Sequence, residues 1–369
     1  GLYYTHVYIY DNLGNSRCVF TPQITVPKVP DITSANASFS YNPNTWTSGS
    51  VRATTSTTVS GYYLQTSTDA QTWKTQNYVD RTTNGAVYAR LTDGVNVGNY
   101  VTGNVGNIDK IAPTTPTLTA KIGNDSGSAY TSGAWTNQAV IITATSSDTQ
   151  SQINRIEYSY DNSTWNTNWG TSLITSGNNK SIKGTWGTNY NTTVYVRAVD
   201  NVGNVSASSS IVIREDATAP TIKTGISGTA TSKSITLSLV ASDNLSGVNK
   251  IVWYYKDSTA SSYTSATDTY TATTAQTTRT HTFTGLTQNK TYNAYAVVYD
   301  AVGRTTQSST INVSTLQVPN LATTNGKFTY STTNWTNGNV TATASTITGG
   351  YSIQTSTDAS NWSTNASIS

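Results

Sequence analysis

The chain has 369 residues, of which only 11 % are charged, and its formal net charge is +3. So weak a charge, without any long basic run, makes nucleic acid a poor partner. Aromatic residues make up 10 % of the chain and hydrophobic residues alternate with polar ones, which excludes a disordered chain. No apolar run approaches the ~18 residues that a membrane-spanning helix needs.

The chain repeats itself over a long period. The phrase Gln-Thr-Ser-Thr-Asp-Ala begins at Gln65 and again at Gln354, 289 positions later. The same offset places residues 1–80 over residues 290–369 without a gap, and chance does not keep one register over so long a stretch. The sequence is therefore one cycle of a 289-residue repeat and part of the next.

Proline-bearing junctions divide each cycle into three predicted modules. Proline lacks an N–H and ends strand pairing, so it suits a short, stiff link between modules. Lengths near 100 residues fit one β-sandwich each. The predicted segments are the end of a C-type module (1–27), module A (28–110), module B (111–217), module C (218–316) and the front of an A-type module (317–369).

Alternating strands predict an all-β chain. Residues 193–199 place Val194, Val196 and Ala198 on one face, and residues 292–298 do the same in module C. No stretch has a convincing 3.6-residue period, so we expect almost no helix. The predicted fold class is an extended array of tandem β-sandwiches.

The first segment contains a turn motif that recurs along the chain. Residues 11–15 read Asp-Asn-Leu-Gly-Asn between two strands, and related phrases stand at 200–204 and 300–304. Glycine in the fourth place supplies the positive φ that closes a short loop, and the aspartate braces the turn. A calcium loop is the alternative, although an EF-hand needs more acids and a terminal glutamate. The glycines with this predicted structural role are Gly14, Gly203 and Gly303.

Cys18, the only cysteine, lies in the strand after the first of these turns. It has no partner for an internal disulfide. It is interpreted as a small, half-buried strand residue, and a cross-link to another chain is the alternative.

Modules A and B place tryptophans beside turns. Trp46 precedes Thr-Ser-Gly and is predicted to pack over the end of the sandwich. Trp73 and Trp165 each follow a strand and an Asp-initiated turn, and the simplest interpretation is that they cover the sandwich core. A sugar-stacking surface is the alternative. The repeat predicts equivalent positions for Trp335 and Trp362.

Module B carries a combination of phrases that resembles a known family. Residues 158–165 read Tyr-Ser-Tyr-Asp-Asn-Ser-Thr-Trp, residues 197–204 read Arg-Ala-Val-Asp-Asn-Val-Gly-Asn, and Ala-Pro-Thr follows at the next junction. Together they resemble the immunoglobulin-like tandem repeats of bacterial surface proteins. The resemblance implies immunoglobulin-like sandwiches and an extracellular, cell-surface location, and it implies no chemistry. Module A departs from the pattern with a longer phrase at 93–99.

Module C also resembles fibronectin type III domains. Residues 285–292 read Gly-Leu-Thr-Gln-Asn-Lys-Thr-Tyr. The resemblance implies that Tyr292 is a tyrosine corner, with its hydroxyl hydrogen-bonded to the preceding loop.

The residues needed for catalysis are scarce. The chain has two glutamates and two histidines, which recur in no pattern, and its single cysteine gives no zinc spacing. We therefore expect no enzyme activity and no cofactor. Glycine-rich phosphate loops before helices are absent as well.

Calcium at the junctions is the metal hypothesis that remains. Calcium takes six to eight oxygen ligands and needs several carboxylates. The junction of modules B and C offers Glu215 and Asp216, and the turn acid that would approach them is Asp200 or Asp243. The A–B junction offers only Asp109, and the C–A junction has no acid. A calcium site is therefore considered at the B–C junction and at neither of the other two.

These observations favour a structural stalk or fibre of a bacterial surface filament. Its partners are the neighbouring modules and, if chains assemble, other copies. The rival hypothesis is an adhesin whose loops bind glycans or a host protein, which an exposed array of Tyr and Trp would support. A third class, a cell-wall hydrolase, would need a catalytic module elsewhere. Short Pro-bearing links predict modules stacked end to end in a rod.

Overall fold

The computed structural model describes residues 2–3, 5–20, 23–25, 27–167, 171–176, 178–347 and 352–369. Every regular element in these ranges is a β-strand, so the predicted all-β class is confirmed. None of the described residues forms a helix with the length and apolar character to cross a membrane. The chain divides into two compact units, residues 1–217 and residues 218–369, which are described separately.

The first segment of unit 1 forms two small antiparallel pairs. In the outer pair β1 contacts β4, and in the inner pair β2 contacts β3 across the Gly14 turn. The strands are Leu2–Tyr3 (β1), His6–Tyr10 (β2), Ser16–Phe20 (β3) and Ile24–Thr25 (β4).

Residues 28–110 form a sandwich of two sheets. The strands are Ala37–Asn42 (β5), Val51–Thr57 (β6), Tyr63–Ser67 (β7), Lys74–Thr75 (β8), Tyr78–Arg81 (β9), Gly85–Thr92 (β10) and Val101–Val105 (β11). One sheet has the order β5-β6-β9 and the other β11-β10-β7-β8. Alternate residues point inward: Val51 and Ala53 of β6 are fully buried, as are Val87, Ala89 and Leu91 of β10.

Residues 111–217 form a second sandwich. The strands are Thr117–Ile122 (β12), Trp135–Thr136 (β13), Val140–Ser147 (β14), Ile153–Ser159 (β15), Thr171–Ser176 (β16), Asn179–Trp186 (β17), Asn191–Asp200 (β18) and Ser209–Glu215 (β19). The sheets have the orders β12-β14-β17-β16 and β13-β19-β18-β15. This is the ABED and CFG arrangement of immunoglobulin domains, with β13 added as a short strand parallel to β19.

Unit 2 begins with a third sandwich. The strands are Thr221–Ala230 (β20), Ser234–Ser242 (β21), Val248–Asp257 (β22), Thr264–Thr273 (β23), Thr277–Thr284 (β24), Thr291–Asp300 (β25), Thr305–Gln307 (β26) and Ile311–Ser314 (β27). One sheet has the order β20-β21-β24; in the other, β23-β22-β25 is joined by β26 and β27, which both pair with β25. Leu237 and Leu239 from the first sheet pack with Trp253 and Ala296 from the second, and all four are fully buried.

The last segment reproduces the first sheet of module A. Its strands are Gly326–Tyr330 (β28), Ala342–Thr346 (β29) and Ser367–Ile368 (β30). Their order, β28-β29-β30, matches β5-β6-β9. The register also matches, because Gly326 pairs with Thr346 as Ala37 pairs with Thr57, each pair 289 residues from the other. The sequence repeat is thus a structural repeat in this sheet.

Candidate functional site at the junction of modules A and B

Three aspartates meet where module A joins module B, inside unit 1. Asp109 is the last residue but one of module A, Asp148 follows β14, and Asp200 ends β18. Each offers a carboxylate oxygen, and these three oxygens lie within 4.8 Å of one another. All three residues are buried, with exposed fractions of 0 %, 4 % and 2 %. The trio therefore combines one junction residue with two loops from the same end of module B.

Backbone contacts from both modules position Asp109. Its N–H donates to the carbonyl of Thr47 at 2.9 Å, inside module A. Its carboxylate accepts hydrogen bonds from the amides of Ile111, at 2.9 Å, and Ser151, at 3.0 Å, both in module B. The Asp109 carboxylate thus joins the end of one sandwich to a loop of the next.

The loop after β14 folds around Asp148. One carboxylate oxygen accepts the amides of Gln150, at 3.0 Å, and Gln152, at 2.8 Å. Gln152 has a φ of 70°, an unusual value for a residue with a side chain, so the loop is held tightly. This closed loop presents Asp148 to Asp109 and Asp200.

Asp200 opens the turn motif predicted from the sequence. Its Oδ1 accepts the amides of Val202, at 2.9 Å, and Asn204, at 2.8 Å, while Gly203 has a φ of 97°. The Asn204 side chain donates to Asp200 Oδ2 at 2.7 Å and to the Asp109 carbonyl at 3.2 Å. The turn therefore orients its own aspartate and contacts the preceding module.

The same braced turn occurs twice more. Asp11 and Asp300 each accept two amides of their own turns, at distances of 2.8 to 3.0 Å. Gly14 and Gly303 have φ values of 85° and 89°, which glycine adopts without strain. The three glycines hold the backbone conformation that the motif predicts.

The trio at the A–B junction has no cationic partner in the described part of the chain. No lysine, arginine or histidine there forms an ion pair with any of the three carboxylates. The hydroxyl of Ser151, whose amide bonds Asp109, is buried without a hydrogen-bond partner. Three carboxylates with hard oxygen donors close together fit a calcium ion, which would offset their mutual repulsion.

The expectation that the A–B junction offers only Asp109 was wrong. Asp148 and Asp200 lie 39 and 91 positions further along the chain, and only the folding of module B brings them to the junction. Counting acids along a linker therefore underestimates the carboxylates that a junction can gather.

The residues predicted for a B–C calcium site belong to different units. In unit 1, Glu215 and Asp216 are both buried, and the Glu215 carboxylate accepts the amide of Asn189. In unit 2, Asp243 is buried and accepts the amides of Leu245, at 3.0 Å, and Gly247, at 2.8 Å. The Glu215 and Asp243 carboxylates thus each have a partner within their own unit, and the B–C site stays a prediction.

Trp73 and Trp165 do not cover a sandwich core, contrary to the simplest interpretation of the sequence. Each ring lies on the outer face of its sheet against an arginine: Arg90 is 4.0 Å from the centre of the Trp73 ring, and Arg197 is 4.0 Å from that of Trp165. Alternation explains the position, since the residues flanking each arginine point inward. These contacts are cation–π interactions at the surface.

A buried glutamate supports the Trp165 contact. Arg155 and Arg197 donate to the two carboxylate oxygens of Glu157 at 2.6 and 2.8 Å. Burial acts to raise the pKa of Glu157, but the hydrogen bonds and charges of Arg197 and Arg155 outweigh it and lower the pKa. Glu157, with Arg155 on its other carboxylate oxygen, therefore holds Arg197 in place beneath the indole ring of Trp165.

The other tryptophans are more exposed than predicted. Trp46 keeps 39 % of its surface exposed, Trp362 keeps 57 % and Trp335 is fully exposed. The prediction that Trp46 and Trp335 pack over the end of a sandwich is therefore wrong for Trp335, and the cover at Trp46 is partial.

Two further sequence-derived positions have defined surroundings. The Tyr292 hydroxyl accepts the amide of Thr287 at 3.0 Å, the geometry of a tyrosine corner. Cys18 is half-buried, with its Sγ 3.9 Å from Nδ1 of His6 on the neighbouring strand.

No family model and no curated protein matches this chain. Among solved structures, it is similar to domains A168-A170 from titin, with 13 % identity and a TM-score of 0.36 over 76 % of this chain and 99 % of that one. It is also similar to the FN1-FN3 domains of chicken CNTN1, with 12 % identity and a TM-score of 0.25 over 78 % and 100 %. The strand orders, rather than these scores, identify the sandwiches as immunoglobulin-like and fibronectin III-like.

Proposed function

We propose that this chain is a structural segment of an extracellular surface filament, in which the sandwiches supply length and stiffness. The observation that supports this proposal most directly is the A–B junction, where a junction residue and two loops of the next module are joined by specific contacts. A flexible tether between independent binding domains would not need them. A repeat that keeps its strand register over 289 positions also suits a protein built by adding equal segments.

Direct hydrogen bonds link the modules beside the aspartates. The Ser48 hydroxyl of module A donates to the Val202 carbonyl of module B at 3.3 Å. The Asn204 side chain contacts the Asp109 carbonyl at 3.2 Å and the Ile111 carbonyl at 3.4 Å. These contacts all involve the 200–204 turn, and together with the bond from the Ser151 amide to Asp109 they hold the end of module A against two loops of module B.

An extracellular, bacterial setting is part of the proposal. It is supported by the resemblance of module B to bacterial surface repeats and by the low charge and high Thr, Ser and Asn content. The partners would be neighbouring modules of the same long chain and other copies in the filament.

Antibody labelling of intact cells tests this proposal. Antibodies against residues 1–217 should label filaments outside unopened cells, and opening the cells should add little signal. An antibody against a cytoplasmic protein is the control for cell integrity. Labelling that depends on opening the cells would contradict the filament proposal.

An adhesin is the second candidate, and an aromatic patch on module C supports it. Tyr254 and Tyr295 stack with ring centres 4.6 Å apart, and Tyr263 meets Tyr295 edge-on at 5.0 Å. Tyr263 keeps 37 % of its surface exposed. Flat aromatic faces of this kind stack on sugar rings. If the native chain binds glycans on an array and Tyr263→Ala does not, the adhesin is favoured. If the native chain binds no glycan, the structural proposal is the only candidate that remains.

A further inference from the structure

The arginine beneath Trp73 in module A lacks the carboxylate that its counterpart in module B has. Arg90 of β10 and Arg197 of β18 each lie 4.0 Å from the centre of a tryptophan ring. Each also stands directly opposite a side chain of the neighbouring strand, which is Gln65 in module A and Glu157 in module B. The two modules therefore build similar arginine surfaces, one around a neutral amide and the other around a carboxylate.

The charge of Arg90 has no compensating acid among the described residues. Its Nε donates to Gln65 Oε1 at 2.9 Å, and the Gln65 amide nitrogen donates to Thr75 Oγ1 at 3.4 Å, which leaves the amide oxygen facing the arginine. In the ranges that the structure describes, no carboxylate forms an ion pair with Arg90, and its Nη1 and Nη2 make no hydrogen bond. Burial lowers the pKa of Arg90, because no neighbouring acid replaces the lost hydration of the charge.

Aromatic rings surround this arginine on the outer face of the sheet. The rings of Trp73 and Tyr100 have centres 6.0 Å apart, and Tyr88 meets Tyr100 edge-on at 5.2 Å. Tyr100 keeps 49 % of its surface exposed, and the other two rings are half-buried, as is Arg90. These four side chains and Gln65 form what we call the Arg90 surface, where a cation lies beside accessible aromatic rings.

The chemistry of the Arg90 surface suits a sugar that carries a carboxylate. The two terminal nitrogens of an arginine can donate to both oxygens of one carboxylate, a planar geometry that lysine does not offer. A bound carboxylate would also offset the cost of holding the Arg90 charge away from water. The apolar face of a sugar ring stacks on aromatic side chains such as Trp73 and Tyr100. A neutral sugar would leave the arginine unpaired, and a small inorganic anion would leave the rings uncovered.

We propose that the Arg90 surface of module A binds the uronic-acid units of an acidic polysaccharide. Arg90 donates to the sugar carboxylate, and the exposed rings contact the sugar itself. Module B has no such site, because Glu157 already pairs with its arginine. The last segment keeps Gln354 and Trp362 at the places of Gln65 and Trp73, as a site repeated once in each cycle requires. This binding role is additional to the proposed structural role and separate from the tyrosine patch of module C.

Gln65→Glu tests the proposal, because it gives module A the arrangement of module B. The full chain is titrated with oligogalacturonate, in which every sugar unit carries a carboxylate, and binding is measured by calorimetry. The native chain should bind it at least about tenfold more tightly than the methyl-esterified oligomer, which has the same rings without the charges. Gln65→Glu should lose binding by a similar factor, since the new carboxylate pairs with Arg90. No binding by the native chain, or equal binding by Gln65→Glu, would overturn the proposal.

The matched control is Gln138→Glu, the same chemical change at an exposed position of module B. It should bind oligogalacturonate like the native chain, and both variants should keep the native melting temperature because neither glutamine is fully buried. An equal loss of binding in the two variants would show that net charge alone governs binding and would overturn the site.

Acetate separates a sugar site from a simple anion site. It has the carboxylate without the ring, so it should displace oligogalacturonate only at a much higher carboxylate concentration. Displacement at an equal concentration would overturn the assignment to a sugar. Failure of binding in any of these assays would leave the antibody labelling of cells, and so the proposed structural function, unaffected.

Discussion

Replacing Asp148 by asparagine tests whether the aspartate trio binds calcium. Charges 4.8 Å apart repel by about 3.5 kcal/mol at an effective dielectric constant of about 20, and Asp148 faces two such neighbours. Solvent and local relaxation reduce this repulsion, and removing one of the three like charges relieves what remains of it. Asparagine keeps the shape of the side chain and the oxygen that accepts the two loop amides. Asp148→Asn should therefore stabilise unit 1 when a chelator is present.

Calcium should make the native chain more stable than Asp148→Asn, the reverse of the order expected in chelator. At one hundred times its dissociation constant, a ligand that binds only the folded chain stabilises it by about 2.7 kcal/mol. For a unit of this size such a gain raises the melting temperature by about 5–10 °C. The native chain should show this rise, and Asp148→Asn should lose most of it because one carboxylate ligand is missing. Thermal melts of the full chain in chelator and in calcium measure both effects.

Asp161→Asn is the matched control. Asp161 also accepts two loop amides through one oxygen, those of Ser163 and Thr164, but it is exposed and stands apart from other carboxylates. It should destabilise module B slightly and equally in chelator and in calcium. If Asp148→Asn behaves like Asp161→Asn in both conditions, and calcium leaves the native chain unchanged, the trio is a hydrogen-bonded structural feature and the reasoning is refuted.

Three further predictions concern single contacts. Gly203→Ala should cost about 1–2 kcal/mol in a denaturant melt; because no atom lies within 4 Å of the added Cβ, the cost is backbone strain at a φ of 97°, and an unchanged midpoint would contradict this. Tyr292→Phe should cost about 1 kcal/mol, since it removes the acceptor of the part-buried Thr287 amide; no loss would show that water replaces the hydroxyl. The amides of Thr164 and Ser163 and the side chains of Ser159 and Thr164 lower the pKa of Asp161. Its stabilising effect should persist above the ordinary aspartate pKa and disappear only as the pH falls through the lowered value, so an NMR titration that gives an ordinary pKa would refute the contact.

The sequence by itself determined the strands, the turns and the repeat. Alternation with a period of two depends on neighbouring residues only, and glycine at the fourth place of the Asp turn reports a local φ. A fixed offset of 289 positions needs no structure to be seen, and the matching registers of β5-β6-β9 and β28-β29-β30 agree with it.

Only the tertiary structure decided what surrounds each functional side chain. Alternation separates the two faces of a strand without saying which face meets the core, so Trp73 and Trp165 were assigned to the inside although they stack on arginines outside. The aspartate trio could not be read along the chain, because its members come from a junction, the loop after β14 and the end of β18. Contacts between residues so far apart depend on the packing of two sheets and on the neighbouring module. The physical reason is that local patterns set backbone conformation, whereas burial and charge are properties of everything that folding brings nearby.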